Sequence, residues 1–206
     1  TEETGVYRRM ISKFHPPPTI ILVTPQMGEN IGAAARAVAN FGLNDLHLVN
    51  PRDGWPSKIA EANAVGAFEK INPIKVFKTT AEALQDYHTV YATTARPRDM
   101  RKSVMTPEAA ISDMHARHMK GQKTAILFGG ERAGLTNEDI SLAQHIISVP
   151  VNPDFSSLNL AQSVLLLTYE WKKQIDNTLP EQLPEGDSPE ATQEEVIKLM
   201  NRLETE

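Results

Sequence analysis

Residues 145–170, HIISVPVNPDFSSLNLAQSVLLLTYE, decide how the rest of the chain is read. A β-rich segment gives way to a polar turn and then to a nearly all-apolar helix. Ser156, Ser157 and Asn159 cluster where that helix must begin, and Ser and Asn there accept hydrogen bonds from unpaired helix amides. The same groups leave hydroxyls and a side-chain amide facing whatever lies above the turn, which marks the turn as the floor of a candidate active centre. Leu158, Leu160, Ala161, Val164, Leu165, Leu166 and Leu167 make the helix apolar on most faces, so it is expected to be buried. The run is about ten residues, whereas a membrane span needs ~20.

Outward from this stretch, strands and helices alternate. Strands are expected over 19–24, 46–50, 74–77, 89–94 and 124–128. Helices are expected over 31–41, with Asn30 as N-cap and Gly42 as stop, and over 57–70, 81–86, 107–119 and 137–142. Residues 96–106 read as a basic loop. Such alternation, with Val, Ile and Leu in the strands, predicts an α/β fold: a mostly parallel sheet covered by helices on both faces. Ligands bind such sheets at the carboxyl ends of the strands, which points to loops 25–29, 95–106, 129–135 and 152–156.

The 206 residues, 40% of them hydrophobic, suffice for one domain with a full core. The chain divides into an extended proline-rich arm (1–18), the α/β domain (19–176), an acidic proline-rich linker (177–190) and a C-terminal helix start (191–206). In that last piece Thr192 and Glu195 have capping-box spacing, and Val196, Leu199, Met200 and Leu203 share one face. The helix stops after about three turns, as a truncated or partner-dependent element would. No cysteine is present, which excludes disulfides and thiolate chemistry. The charged N-terminus has no apolar signal core, so a cytoplasmic location is expected.

The net charge of −5 conceals an asymmetry. Residues 177–206 carry eight acidic and two basic side chains, so the first 176 residues are net +1. Arg96, Arg98, Arg101 and Lys102 against Asp99 form a local basic patch, and Arg8, Arg9 and Lys13 form another. Such patches suit a phosphate backbone; the plain alternative is an ordinary solvated loop.

Phosphate-loop and dinucleotide fingerprints are absent: Gly121-Gln122-Lys123-Thr124 fails on spacing, and no G-x-G-x-x-G occurs. The loop Gly129-Gly130-Glu131-Arg132-Ala133-Gly134 allows close approach to its backbone, but Glu131 would repel a phosphate and favour a cationic ligand or a catalytic arginine. A glycine-bearing turn with an exposed Glu is the plain alternative. Helix 31–39, IGAAARAVA, carries small residues nearly all round, which points to a crowded setting for Arg36 where its fork can bind phosphate or carboxylate; an ordinary snorkelling arginine is the plain alternative. His115 and His118 share a helix face without a third ligand, so a solvated face is expected and no metal site.

Three segments in order carry a resemblance: Asn30-Ile31-Gly32-Ala33-Ala34-Ala35-Arg36-Ala37, Phe128-Gly129-Gly130-Glu131-Arg132-Ala133-Gly134-Leu135, and Val149-Pro150 followed by Ser156-Ser157-Leu158-Asn159-Leu160. Together they resemble the successive motifs of the SpoU/TrmH family of SPOUT RNA 2′-O-methyltransferases over residues 19–174. Leu48-Val49-Asn50-Pro51, Thr93-Thr94-Ala95-Arg96-Pro97-Arg98 and the Ser-Ser-Leu-Asn-Leu run resemble its TrmJ branch, which methylates the ribose at position 32 of tRNA. The fragment after the linker is similar to the start of that branch's C-terminal extension.

The resemblance implies a C-terminal trefoil knot and a homodimer, neither of which pattern reading supplies, since true knots are nearly absent from proteins. It implies S-adenosylmethionine as cofactor, held by Thr93, Thr94, Ala95, Gly129, Val149, Ser156, Ser157 and Leu158, and tRNA as substrate. Asn30, Arg36, Glu131, Ser157 and Asn159 match catalytic positions. A ribose 2′-OH is a poor nucleophile that must lose its proton, so positioning and a base or electrostatic activator are required. Arg36 is expected at the 2′-OH and 3′-phosphate, oriented by Asn30 and Glu131, with Ser157 and Asn159 placing hydroxyl and cofactor. Arg96, Arg98, Arg101 and Lys102 become candidates for tRNA phosphates. The alternatives are methylation of ribosomal RNA or another tRNA position, and a non-catalytic RNA-binding relative.

Overall fold

The computed structural model describes residues 16–94, 102–176, 178 and 191–204. Seven parallel strands form one sheet in the order β3-β2-β1-β6-β4-β7-β5. They are β1 (Thr19–Val23), β2 (Leu46–Val49), β3 (Lys75–Phe77), β4 (Thr89–Thr93), β5 (Ser103–Met105), β6 (Thr124–Gly129) and β7 (His145–Ile147). The helices are α1 (Gly28–Asn40), α2 (Lys58–Ala64), α3 (Thr80–Leu84), α4 (Pro107–His118), α5 (Asn137–Ser141), α6 (Leu160–Ile175) and α7 (Gln193–Glu204). From β1 the chain runs outward to β2 and β3, then returns to build the other side beyond β6. That change of direction beside β1 is where an open α/β sheet leaves a crevice at its carboxyl edge.

Strand side chains alternate between two cores, as a period of two requires. Ile20, Leu22, Leu46, Leu48, Ile126 and Phe128 pack with Ile31, Ala34 and Val38 of α1, Ile111 and Met114 of α4, and Leu160, Val164 and Trp171 of α6. Ile21, Val23, Val90, Ala92, Ala125 and Leu127 meet Ala83 and Leu84 of α3 and Ile140 of α5. A polar clasp also ties α4 to β4. The Tyr91 hydroxyl donates to Asp113, while Arg117 donates to Asp113 (2.7 Å) and to Thr89 (3.0 Å). Burial and donation to a carboxylate push the Tyr91 phenol well above its ordinary range.

Five local expectations are corrected. Helix α1 starts at Gly28 with Met27 as N-cap, so Asn30 lies inside the first turn and does not cap it. The single helix expected over 57–70 is two pieces, α2 and a 3-10 turn Ala67–Glu69, broken where Val65 (φ 49°) and Gly66 (φ 78°) turn left-handed. The basic loop contains β5, a three-residue strand on the sheet edge. Instead of facing solvent together, His118 is buried and His115 stacks on Trp171 at 3.8 Å between ring centroids, since both rings offer apolar faces to α6. Finally, α6 is buried on one side only: Leu165, Leu166 and Tyr169 are exposed.

Helix α1 rides close on α2 through Gly32. A Cβ added there would run into the carbonyl of Ala60 and lie 2.7 Å from Asn63 Cβ and 2.8 Å from Ala64 N. Gly32→Ala removes a helix-disfavouring glycine, which alone would stabilise by roughly 0.5–1 kcal/mol. Forcing two backbones apart costs about 1–3 kcal/mol and wins. Thermal unfolding should show a lower Tm for this variant; an unchanged or higher Tm would mean the helices separate freely.

The C-terminal unit is α7. Its first turn has the expected reciprocal capping, with Thr192 N donating to Glu195 Oε2 (2.8 Å) and Glu195 N to Thr192 Oγ1 (3.4 Å). The arm at 1–15 and the linker, apart from residue 178, lie outside the described residues.

Candidate active site

The carboxyl ends of β4, β6 and β7 and the turn before α6 enclose a cavity of about 430 Å³, a size typical of small-molecule sites. Its walls include Thr93, Thr94, Gly129, Val149, Ser156, Ser157 and Leu158, together with Ile147, Val151 and Leu160. Every proposed cofactor residue that is described therefore faces one space; Ala95 lies outside the described residues. Thr93 is fixed by donating its hydroxyl to Leu127 O (2.8 Å).

The Gly129–Gly134 loop folds back on itself: Gly130 pairs with Gly134, whose φ is 66°. A Cβ on Gly129 would collide with the backbone of Gly134 and Leu135, and one on Gly130 with the carbonyl of Thr24. Only glycine permits this tight turn, and the turn carries Glu131 to the start of α1. There Glu131 Oε2 accepts from Gln26 N (2.7 Å), and Oε1 accepts from Met27 N (3.0 Å) and Asn30 Nδ2 (2.9 Å). The carboxylate thus binds the amide of the N-cap residue and the amide before it, at the end of the helix dipole that favours negative charge. Burial opposes its ionisation, but donation from Asn30 and the backbone amides outweighs this and holds the carboxyl below its usual range.

The chain of bonds continues. Asn30 Oδ1 accepts from Asn159 Nδ2 (3.0 Å), and Asn159 Oδ1 accepts from Gln162 N (3.2 Å) as the N-cap of α6. Glu131, Asn30 and Asn159 come from three distant segments and form one network that pins two helix N-termini beside the cavity. Each donor and acceptor is used in a single sense, which fixes both amide orientations.

Arg36 is not in the crowded place expected of it: its α1 neighbours are small, but its own side chain points out and is exposed. Among the described residues it makes no hydrogen bond to Asn30 or Glu131, the two residues expected to orient it. Ser157 is exposed at the cavity wall. Of the basic patch, Arg96, Arg98 and Arg101 lie outside the described residues, and the Lys102 ammonium donates to the carbonyls of Ser141 and Ala143 at the end of α5.

Two contributors escape a reading by residue type. The Gln26 and Met27 amides act through the backbone, and only the position of their loop at a strand end marks them. Arg52, at the end of β2, is held by Asp53 (2.8 and 2.9 Å) within electrostatic reach of Glu131, and its backbone N–H donates to Pro25 O (3.0 Å).

A model of the SpoU rRNA Methylase family matches residues 17–169. The tRNA (cytidine/uridine/adenosine-2′-O-)-methyltransferase TrmJ of Pseudomonas aeruginosa is 40% identical over 152 residues, covering 73% of this chain and 58% of that protein. The uncharacterized tRNA/rRNA methyltransferase LasT of Escherichia coli is 39% identical over 158 residues, covering 74% and 66%. The chain thus spans about three fifths of the length of these curated relatives. The crystal structure of TrmJ from Z. mobilis ZM4 superposes with a TM-score of 0.72 at 51% identity, over 92% of this chain and 78% of that one. With the family's model matching three quarters of its residues, this chain belongs to the SpoU rRNA Methylase family.

Proposed function

We propose that the protein transfers a methyl group from S-adenosylmethionine to the 2′-hydroxyl of a ribose in tRNA, with position 32 of the anticodon loop as the target. The observation that carries this reading is the Glu131–Asn30–Asn159 network at the mouth of the 430 Å³ cavity. The names of the TrmJ relatives support tRNA as the substrate. Membership in the family implies its knot, with the segment around α6 tucked through a loop.

The cavity suits an amphiphilic, cationic cofactor. Ile147, Val149, Val151 and Leu158 offer an apolar slot for a flat base, Ser156 and Ser157 offer hydroxyls, and the Glu131 carboxylate lies at the rim. When bound, S-adenosylmethionine supplies an electrophilic methyl on a positively charged sulfur. The chain's task is then to hold a 2′-hydroxyl in line with it and to stabilise the oxygen as its proton leaves. Glu131 has both oxygens filled by donors, so its work is to fix Asn30 and not to accept that proton. Asn159 and Ser157 stand at the turn where the hydroxyl would lie. Arg36, exposed, presents a fork for the adjoining phosphate and a positive charge for the developing alkoxide; a guanidinium accepts protons poorly, which favours electrostatic activation over general-base action.

A homodimer is part of this proposal. Leu165, Leu166 and Tyr169 form an exposed apolar strip on α6, and Phe41 packs edge-on to Tyr169 (5.7 Å). A strip of this kind marks an association surface. Leu166→Asp should sediment as a monomer where the parent sediments as a dimer; equal masses would remove α6 from the interface.

The experiment that tests the function is incubation with total tRNA and labelled S-adenosylmethionine, followed by nucleoside mapping. A 2′-O-methylated nucleotide at position 32 is the expected product. Label in ribosomal RNA or at another tRNA position would correct the target, and no transfer to any RNA would overturn the enzyme reading.

A further inference from the structure

We propose that Phe155 is a stacking platform for an unpaired nucleobase of the RNA substrate; this deepens the methyltransferase reading and rests on it. Phe155 is 79% exposed, more than any other large apolar side chain among the described residues. It ends the 3-10 turn Pro153–Phe155, between Val151 and Ser156, which both line the cavity.

The turn is built to hold this ring out. Pro153 fixes its own backbone, the Asn152 side chain accepts from Asp154 N (3.0 Å), and Phe155 N donates to Asn152 O (3.0 Å). An apolar ring is thereby held in water on a rigid mount, where a flexible loop could have let it fold inward. Four residues later Asn159 enters the network with Asn30. A ribose brought to that network carries its own base and neighbours, and in a single-stranded loop these present π faces to aromatic side chains. The adjoining Asp154 is acidic and disfavours a phosphate at this spot, leaving a base as the complementary group.

The test compares wild type with Phe155→Ala, Phe155→Tyr and Phe155→Trp. Phe155→Ala should raise KM for tRNA on the order of tenfold, the scale of one base–aromatic stack, with a smaller change in kcat. Its affinity for S-adenosylmethionine by calorimetry and its sedimentation should match wild type, and the Tyr and Trp substitutions should restore KM. In addition, the Phe155→Trp protein should lose fluorescence on titration with a short single-stranded RNA, beyond any loss shown by the wild-type tryptophans. An unchanged KM for Phe155→Ala in an active preparation, a Phe155→Trp protein quenched no more than wild type, or conversion of Phe155→Ala to monomer would each overturn the stacking role. If wild type itself methylates no RNA, the enzymatic reading falls, and the fluorescence titration still decides whether this ring binds RNA.

Discussion

Arg36→Ala is expected to abolish most methyl transfer while leaving a folded protein that binds S-adenosylmethionine normally. Arg36 is exposed on α1 and has no described hydrogen-bond partner, so truncation leaves no buried group unpaired. Its removal should change stability by less than about 0.5 kcal/mol, as for most surface substitutions. Losing a positioned donor for developing oxyanion charge costs on the order of 10²–10³-fold in kcat. Arg36→Lys keeps the charge but not the planar fork, and should recover only part of the rate. Initial rates with labelled cofactor and tRNA, paired with calorimetric binding of the cofactor, separate these effects. A variant within twofold of wild type would show that Arg36 takes no part in the chemistry, and a variant that loses cofactor affinity would place it in the cofactor site instead.

The alternation of Val/Ile/Leu runs with helical segments is sufficient to foresee a parallel sheet, and two short motifs, 128–135 and 149–160, point to the cavity, because both signals are local. The start of α1 is misplaced by such a reading for a non-local reason. Asn30 has the residue type of an N-cap, but it lies inside the first turn, where its side chain donates to Glu131, about a hundred positions away, and accepts from Asn159. The break at Val65 has no local signal either: a β-branched residue at φ 49° runs against its own preference. Strand β5 is three residues long beside a basic run, too short for a period of two to show. The helix over Leu160–Ile175 reads as buried on most faces because composition records how much apolar surface a helix has, not how much of it one chain can cover.

Glu131→Gln should prove nearly as damaging as Glu131→Ala, although glutamine has almost the same shape. All three partners of the carboxylate are donors: Gln26 N at Oε2, and Met27 N and Asn30 Nδ2 at Oε1. A glutamine offers one acceptor oxygen and sets an NH₂ group against either Gln26 N or the Met27–Asn30 pair. Whichever way it turns, at least one donor faces another donor, and an unpaired donor in a half-buried site costs about 1–3 kcal/mol. With the NH₂ against the Met27–Asn30 pair, Asn30 loses the bond that fixes its orientation and Asn159 a defined partner; with it against Gln26 N, the unpaired amide pushes the loop before α1 away from Glu131. The kcat of Glu131→Gln should therefore fall on the order of 10²-fold or more, through misplacement alone. Its Tm should fall as well, by roughly 2–4 °C per kcal/mol for a domain of this size. The pH dependence separates this from a proton-transfer role. Because the folded carboxyl lies below its ordinary value of 4.5, its ionised form contributes stability above that value. That contribution is lost as pH falls through the folded pKa, so the Tm gap between wild type and Glu131→Gln should be full at neutral pH and close in acid. A Gln variant with wild-type rate and Tm would show that the carboxylate's charge and second acceptor are dispensable, and that α1 is positioned by packing against α2 and α6 alone.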